Sequence, residues 1–319
     1  MKNIYFCACA PDGGVYHYQK ENGVLFFREI QPLPSLMYMT ITENRAYVLL
    51  RETDAVTHFG GMITFDLDAA GRLCNPTPVQ STRGIVPCHL SVRDGNVYVV
   101  NYLSGNVVLL PDTVRVHQGR GIFPARQEAP HTHFITVSPD GCEVLCTDLG
   151  IDEIVIYDRK LKEKYRVSMP AGYGPRHLDF SLDGKTLYCV HELACAISML
   201  QKRADKWQLC GTYPLLENVT TKDTAAAIRV CGKHVYVSVR GADVLVRFAA
   251  EQNALHLLER TPCGGRSPRD FALIGDRIFC ANEKSNDVTI FKLQDGFPVL
   301  LPQKLNMLHP LCVCEGREE

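Results

Sequence analysis

Short apolar runs alternate with Gly-, Asp- and Asn-rich breaks along the whole chain, and no stretch keeps the helical spacing of an amphipathic helix. One stretch sets the pattern. From Pro87, the run Cys88 to Val92 is followed by the turn Arg93-Asp94-Gly95, the run Asn96 to Val100, polar Asn101-Tyr102, the turn Ser104-Gly105 and the run Val107 to Leu110. The same order returns from Pro130, with His133 to Val137, the turn Pro139-Asp140-Gly141, Glu143 to Cys146, polar Thr147-Asp148, and Glu153 to Tyr157. It returns again from Pro175, with His177 to Phe180, Asp183-Gly184, Thr186 to Val190, polar His191-Glu192, and Ala194 to Leu200. Runs of this length, with turn residues between them, predict antiparallel strands joined by hairpins.

Weaker copies begin near Ser35, near Ala225 and at Pro268, and the starts from Pro87 to Pro268 give a period of roughly 43 to 50 residues. That period suits a four-stranded propeller blade better than a sandwich. Six copies are internal, and a seventh starts at Pro310 and ends after one run, Leu311 to Cys314. The runs Ile4 to Cys9, Val15 to Gln19 and Val24 to Arg28 supply its missing strands. The expected architecture is therefore all-β: a single seven-bladed β-propeller over residues 1–319, with four-stranded blades and the ring closed by pairing the N- and C-terminal strands.

Composition narrows the function. A 46% hydrophobic content is enough for a sizeable core, and a formal charge of −1 gives no whole-chain field for nucleic acid or anionic lipid. The apolar runs are too short to span a bilayer, so neither nucleic acid nor membrane is expected as a partner, and the chain reads as cytoplasmic. The fourteen cysteines fall mostly inside apolar strands and read as reduced core residues. Cys7/Cys9 and Cys312/Cys314 lack the spacing of structural zinc ligands, so no metal and no cofactor is expected.

In a blade, the start of the first strand and the end of the second share a face. His89, His131, His133, Arg176, His177, Arg269 and Asp270 stand at starts; Arg51, Glu52, Asn101, Asp148, His191, Glu192, Arg240, Asn282 and Glu283 stand at ends. This rim is rich in Arg and His, which suits a small phosphate or carboxylate. Glu192, Arg176, Arg240 and a histidine of the 131/133 pair carry the strongest case, because convergent charged groups around one pocket do little for stability. Asn101, His177, Arg269 and Asn282 are weaker candidates, and Asp148 and Asp270 are expected to orient the cations.

Pro130-His131-Thr132-His133, Gly174-Pro175-Arg176-His177, His191-Glu192-Leu193, Arg240-Gly241 and Pro268-Arg269-Asp270-Phe271 resemble the bacterial lactonase family of seven-bladed propellers, which includes propeller-type 6-phosphogluconolactonases and carboxymuconate lactonizing enzymes. The resemblance spans nearly the whole chain. It implies an active site on a histidine of the 131/133 pair, Arg176, Glu192 and Arg240, and a small anionic sugar lactone as partner. Glu283 departs from it, since relatives typically carry Gln there.

The implied activity is lactone hydrolysis, foremost of 6-phospho-glucono-1,5-lactone. A lactone is an activated ester, so a base on water and a cation on the oxyanion suffice. Glu192 or a histidine (His131 or His133) is the expected base, Arg176 the oxyanion group, and Arg240, Arg269 and His89 the phosphate ligands, with His177, Asn101 and Asn282 also substrate-facing. No G-x-S-x-G elbow points to a serine nucleophile. Two alternatives remain at this stage: a carboxymuconate-type or other carboxylated-lactone enzyme, and a non-enzymatic binding scaffold. The scaffold reading lacks the Trp-Asp signature of such propellers, the sole tryptophan being Trp207.

Overall fold

The computed structural model describes residues 2–251 and 253–316 and has seven antiparallel sheets, six of four strands and one of five, with no helix among the described residues. The innermost strands are Leu36–Thr42, Pro87–Arg93, Thr132–Val137, Pro175–Phe180, Thr224–Cys231, Pro268–Ile274 and Pro310–Glu315. The last pairs with Lys2–Ala8, Cys312 opposite Cys7, and Gly14–Glu21 and Val24–Pro32 complete that sheet. The two chain ends thus close the ring, as the repeat predicts.

Each sheet is packed between two others, so its inner strands are apolar on both faces; Tyr98, Val99 and Val100 are all fully buried. The core is a series of seams between blades. One holds Tyr98, Val100, Ile135, Cys146 and Tyr157, another Ile4, Phe6, Phe279, Ala281 and Ile290. Outermost strands revert to partial exposure, as along Val24–Pro32. The first blade departs from four strands: Leu73–Cys74 and Gln80–Ile85 both pair with Phe59–Leu67. Pro76 and Pro78 lie between them, and without N–H groups they cannot continue an outer ladder.

The innermost strands share an irregularity. Leu36 lies opposite Leu50 and Tyr38 opposite Leu49, which leaves Met37 without a partner. The same slip leaves out Cys88, His133, Arg176, Arg269 and Leu311, and in the fifth blade it falls between Ala225 and Ile228. Each is a β-bulge, which inserts an extra residue and re-aims its side chain. Consecutive residues then face the axis together: Met37 with Tyr38, Arg176 with His177, Arg269 with Asp270.

The bulge follows a kink. The residue just before the inner strand, two positions before the bulge, has a positive φ in five blades, at Ser35 (59°), Val86 (56°), Gly174 (63°), Ser267 (61°) and His309 (44°). For a residue other than glycine this conformation costs roughly 1–2 kcal/mol. A repeated hydrogen bond offsets it: the carbonyl before the inner strand accepts the N–H of the residue just beyond the second strand. The pairs are Cys9 to His309 (3.0 Å), Arg51 to Ser35 (2.8 Å), Tyr102 to Val86 (2.9 Å), Leu149 to His131 (3.0 Å), Glu192 to Gly174 (2.8 Å) and Glu283 to Ser267 (3.0 Å). A second ring of side chains is thereby set above the bulge ring.

A chain ending at residue 309 loses the pairing of Pro310–Glu315 and the burial of Leu311, Cys312 and Val313. At about 1.5–3 kcal/mol for a large buried apolar side chain, the loss approaches the whole stability of an ordinary domain. A thermal melt of the truncated chain is expected to show no cooperative transition near that of the full chain; an unchanged melting temperature would contradict the closure.

Candidate functional site

Seven bulge residues ring the axis in blade order: Met37, Cys88, His133, Arg176, the Ala226 region, Arg269 and Leu311. Three carry chemistry and the others are apolar or small, so the ring has a polar and an apolar side. Together with Tyr38, His177 and Asp270, six of them surround a neck of about 20 Å³. Above it opens a cavity of about 280 Å³, lined by Met37, Arg51, Val86, Cys88, Tyr102, Leu103, Arg126, His133 and Arg269. Below lies a separate cavity of about 340 Å³, whose polar lining includes Tyr38, His89, Asp179 and Arg229.

Glu192 organises the polar side. Its Oε2 accepts from Arg176 Nε (2.8 Å) and lies 3.0 Å from Arg240 Nη2, while its Oε1 accepts from Arg126 Nη2 (2.5 Å). Burial alone would push this carboxyl up, but Arg240, Arg176, His133 and Arg126 outweigh it and hold the group well below the usual carboxylate range. Arg176 is buried and donates through Nη1 to the Ala226 carbonyl (2.7 Å) and to His177 Nε2 (3.0 Å). Arg240 reaches the Ala225 carbonyl at 3.3 Å. The run Ala225-Ala226-Ala227, fully buried, leaves the room that both guanidiniums occupy. Burial, reinforced by Arg240, lowers the Arg176 pKa to about 9 against the pull of Glu192, so it stays charged at neutral pH.

His133 is the neutral partner of this cluster. Burial first, then the Arg176 charge, drive its imidazole well below the ordinary value, and its Nδ1 has no hydrogen-bond partner. It lines both the neck and the upper cavity. His131, two residues earlier, is committed elsewhere: Nδ1 meets the Tyr102 carbonyl at 3.0 Å, Nε2 meets Glu128 at 3.2 Å, and the ring stacks on Tyr102. Cys88 is no ready nucleophile, because burial pushes its thiol up to about 12.

The sequence-predicted residues thus separate. Glu192, Arg176, Arg240, His133 and Arg269 come together. His177 braces Arg176 from below. His89 lies between the rings of Tyr38 (4.4 Å) and Phe134 (4.0 Å) and faces the lower cavity, away from the upper one. Asn101 bonds the Thr82 carbonyl and Asn106, and Asn282 bonds Asp287 and Thr289; both brace hairpins and neither lines the cavity. Asp148 holds the His131 and Gly150 N–H groups and His117, and Asp270 pairs with Arg229 at 2.7 Å. Sequence reasoning missed Arg126, which sits in the irregular segment 117–131. Gln127 pins that segment by donating to the Leu149 carbonyl (2.8 Å), and its length was the available signal. Among the described residues, no group of three or more His, Cys, Asp or Glu side chains is placed to hold a metal ion.

Comparison with known proteins adds a family. A family model described as lactonase, 7-bladed β-propeller, matches residues 11–314. The 6-phosphogluconolactonase of Bacillus subtilis is 29% identical over 301 residues, covering 86% of this chain and 85% of that protein. Among solved structures, a Lactobacillus plantarum protein superposes with a TM-score of 0.90 at 24% identity, over 99% of this chain and 100% of its own. The periplasmic gluconolactonase of Pseudomonas aeruginosa superposes with a TM-score of 0.88 at 24% identity, over 98% of each chain. Both solved structures speak for the fold.

His89, His133, His177 and His191 are all buried with depressed proton affinity. Unfolding lets each take up a proton below the free value of 6.5, so their neutral burial stabilises fully above that pH and less as pH falls toward the folded values. Melting temperature is expected to drop between about pH 6.5 and pH 5, before most carboxylates titrate. A melting temperature constant across that window would contradict the buried neutral state.

Proposed function

The chain belongs to the seven-bladed β-propeller lactonase family, and from that premise we propose that it hydrolyses 6-phospho-glucono-1,5-lactone to 6-phosphogluconate, a step of the pentose phosphate pathway. The observation that carries the reading is the neck. Its volume of about 20 Å³ matches a single water, and it is bordered by the unpartnered His133 and the charged Arg176.

In the proposed reaction the lactone ring rests on the bulge ring with its carbonyl toward Arg176. The His133 imidazole, which borders the neck, takes a proton from the water as the water oxygen bonds to the carbonyl carbon. Arg176 Nη2, which makes no hydrogen bond to a described residue, stabilises the oxyanion. Collapse of the tetrahedral species breaks the bond to the ring oxygen, and the imidazolium returns its proton to that oxygen, leaving a hydroxyl and a carboxylic acid that ionises. Glu192, held by three guanidiniums and weakly basic, stabilises the imidazolium and fixes Arg176. Of the two expected bases, this geometry favours the histidine. Fourteen unpaired cysteines support a reducing compartment such as the cytoplasm.

The test is the rate of hydrolysis of freshly made lactone above its spontaneous rate. His133→Asn and Arg176→Ala are each expected to lower kcat by about 10²-fold or more. Because His133 titrates below 6.5, the wild-type kcat/KM should stay level as pH falls through that value and decline only in more acidic solution. Folded wild type without any acceleration would exclude this substrate, and an acid limb centred above 6.5 would exclude His133 as base.

A further inference from the structure

The upper cavity holds more positive charge than the hydrolytic step uses. Arg176 and Arg240 are tied to Glu192 and to backbone carbonyls in the interior. Arg51, Arg126 and Arg269 instead line the mouth, where the other lining groups are Met37, Val86, Cys88, Tyr102, Leu103 and His133 and no carboxylate contributes. Arg51 is exposed and makes no ion pair with a described residue. Arg269 has one distant carboxylate, Glu283 at 3.5 Å. Arg126 is the least buried of the three guanidiniums on Glu192, its side chain 41% exposed against 3% for Arg176 and 14% for Arg240.

We infer that Arg51, Arg126 and Arg269 form a phosphate-binding subsite at the mouth of the channel, and that a bound phosphate draws Arg126 away from Glu192. The inference rests on the lactonase reading for the identity of the ligand's other end, and it moves the phosphate from Arg240 and His89 to these three residues. A concave cationic cavity with apolar walls focuses its field on an incoming anion, and guanidiniums bind phosphate oxygens in pairs. Arg176 and Arg240 keep Glu192 in place when Arg126 leaves. Glu192 then loses one of three counter-charges, which strengthens its support of the His133 imidazolium. Substrate phosphate and base are thus linked through one exposed arginine. Glu283 opposes the subsite from beside Arg269.

Calorimetric titration of the full chain with 6-phosphogluconate, gluconate and inorganic phosphate tests this without turnover. 6-Phosphogluconate is expected to bind at least about tenfold more tightly than gluconate, with Arg126→Ala and Arg269→Ala each weakening it by about tenfold and weakening gluconate less, so that the preference for the phosphorylated acid narrows. Glu283→Gln should tighten the phosphorylated ligand and inorganic phosphate. Arg126 and Arg269 line the mouth and Glu283 lies beside Arg269, and a melt of each variant checks the fold. Equal affinity for the two sugar acids, or unchanged binding in Arg126→Ala, overturns the subsite even if lactone hydrolysis is found. Arginine-dependent phosphate binding without lactone hydrolysis sustains the subsite and overturns the reaction.

Discussion

The hydrogen bond from the residue beyond the second strand to the carbonyl before the first, made in six of the seven blades, is the constraint on which the site depends. It holds the chain in a kink that few residues tolerate, at Val86 as at Gly174. It is followed at once by the bulge that turns one extra side chain toward the axis. Repeated around the ring, the device sets two tiers of side chains at one end of the channel. Those tiers include His133, Arg176 and Arg269 below and Arg51, Tyr102, Glu192 and Glu283 above. The blades supply stability through their seams, and the kinks supply a surface whose chemistry can change without disturbing those seams.

Electrostatics then divides the labour. A carboxylate and a guanidinium as buried as Glu192 and Arg176 would each be costly alone, and removing one partner of such a pair typically costs about 3–5 kcal/mol. Three arginines on one carboxylate leave the cluster net positive, which suits an anionic transition state more than it suits folding. Burial first, and the Arg176 charge after it, keep His133 neutral. The apolar arc of Met37, Cys88 and Leu311 completes the neck and limits the space for water beside His133.

Much of this was legible in the sequence. Five proline starts and two copies recognised near Ser35 and Ala225 marked seven units, and the solitary final strand gave the closure, because hairpin grammar is local. Arg176, Glu192, Arg240 and Arg269 stood at the right strand ends for the same reason. What escaped is what the bulge changes. Simple alternation places His131 and His133 on one face, yet the slip sends His133 into the neck and leaves His131 stacked on Tyr102 outside it. His89 is one position past the bulge residue Cys88 and so falls a layer lower. Asn101 and Asn282 share the strand-end position but turn to their own hairpins. Arg126 lies in a segment with no period at all, where only three-dimensional folding reveals its reach to Glu192.

A crystal structure with 6-phosphogluconate bound would test the account most directly. The product carboxylate is expected in the neck between His133 and Arg176, and the phosphate among Arg51, Arg126 and Arg269, with Arg126 released from Glu192. A ligand seated in the lower cavity beside His89 and Arg229, or on the outer faces of the blades, would contradict it.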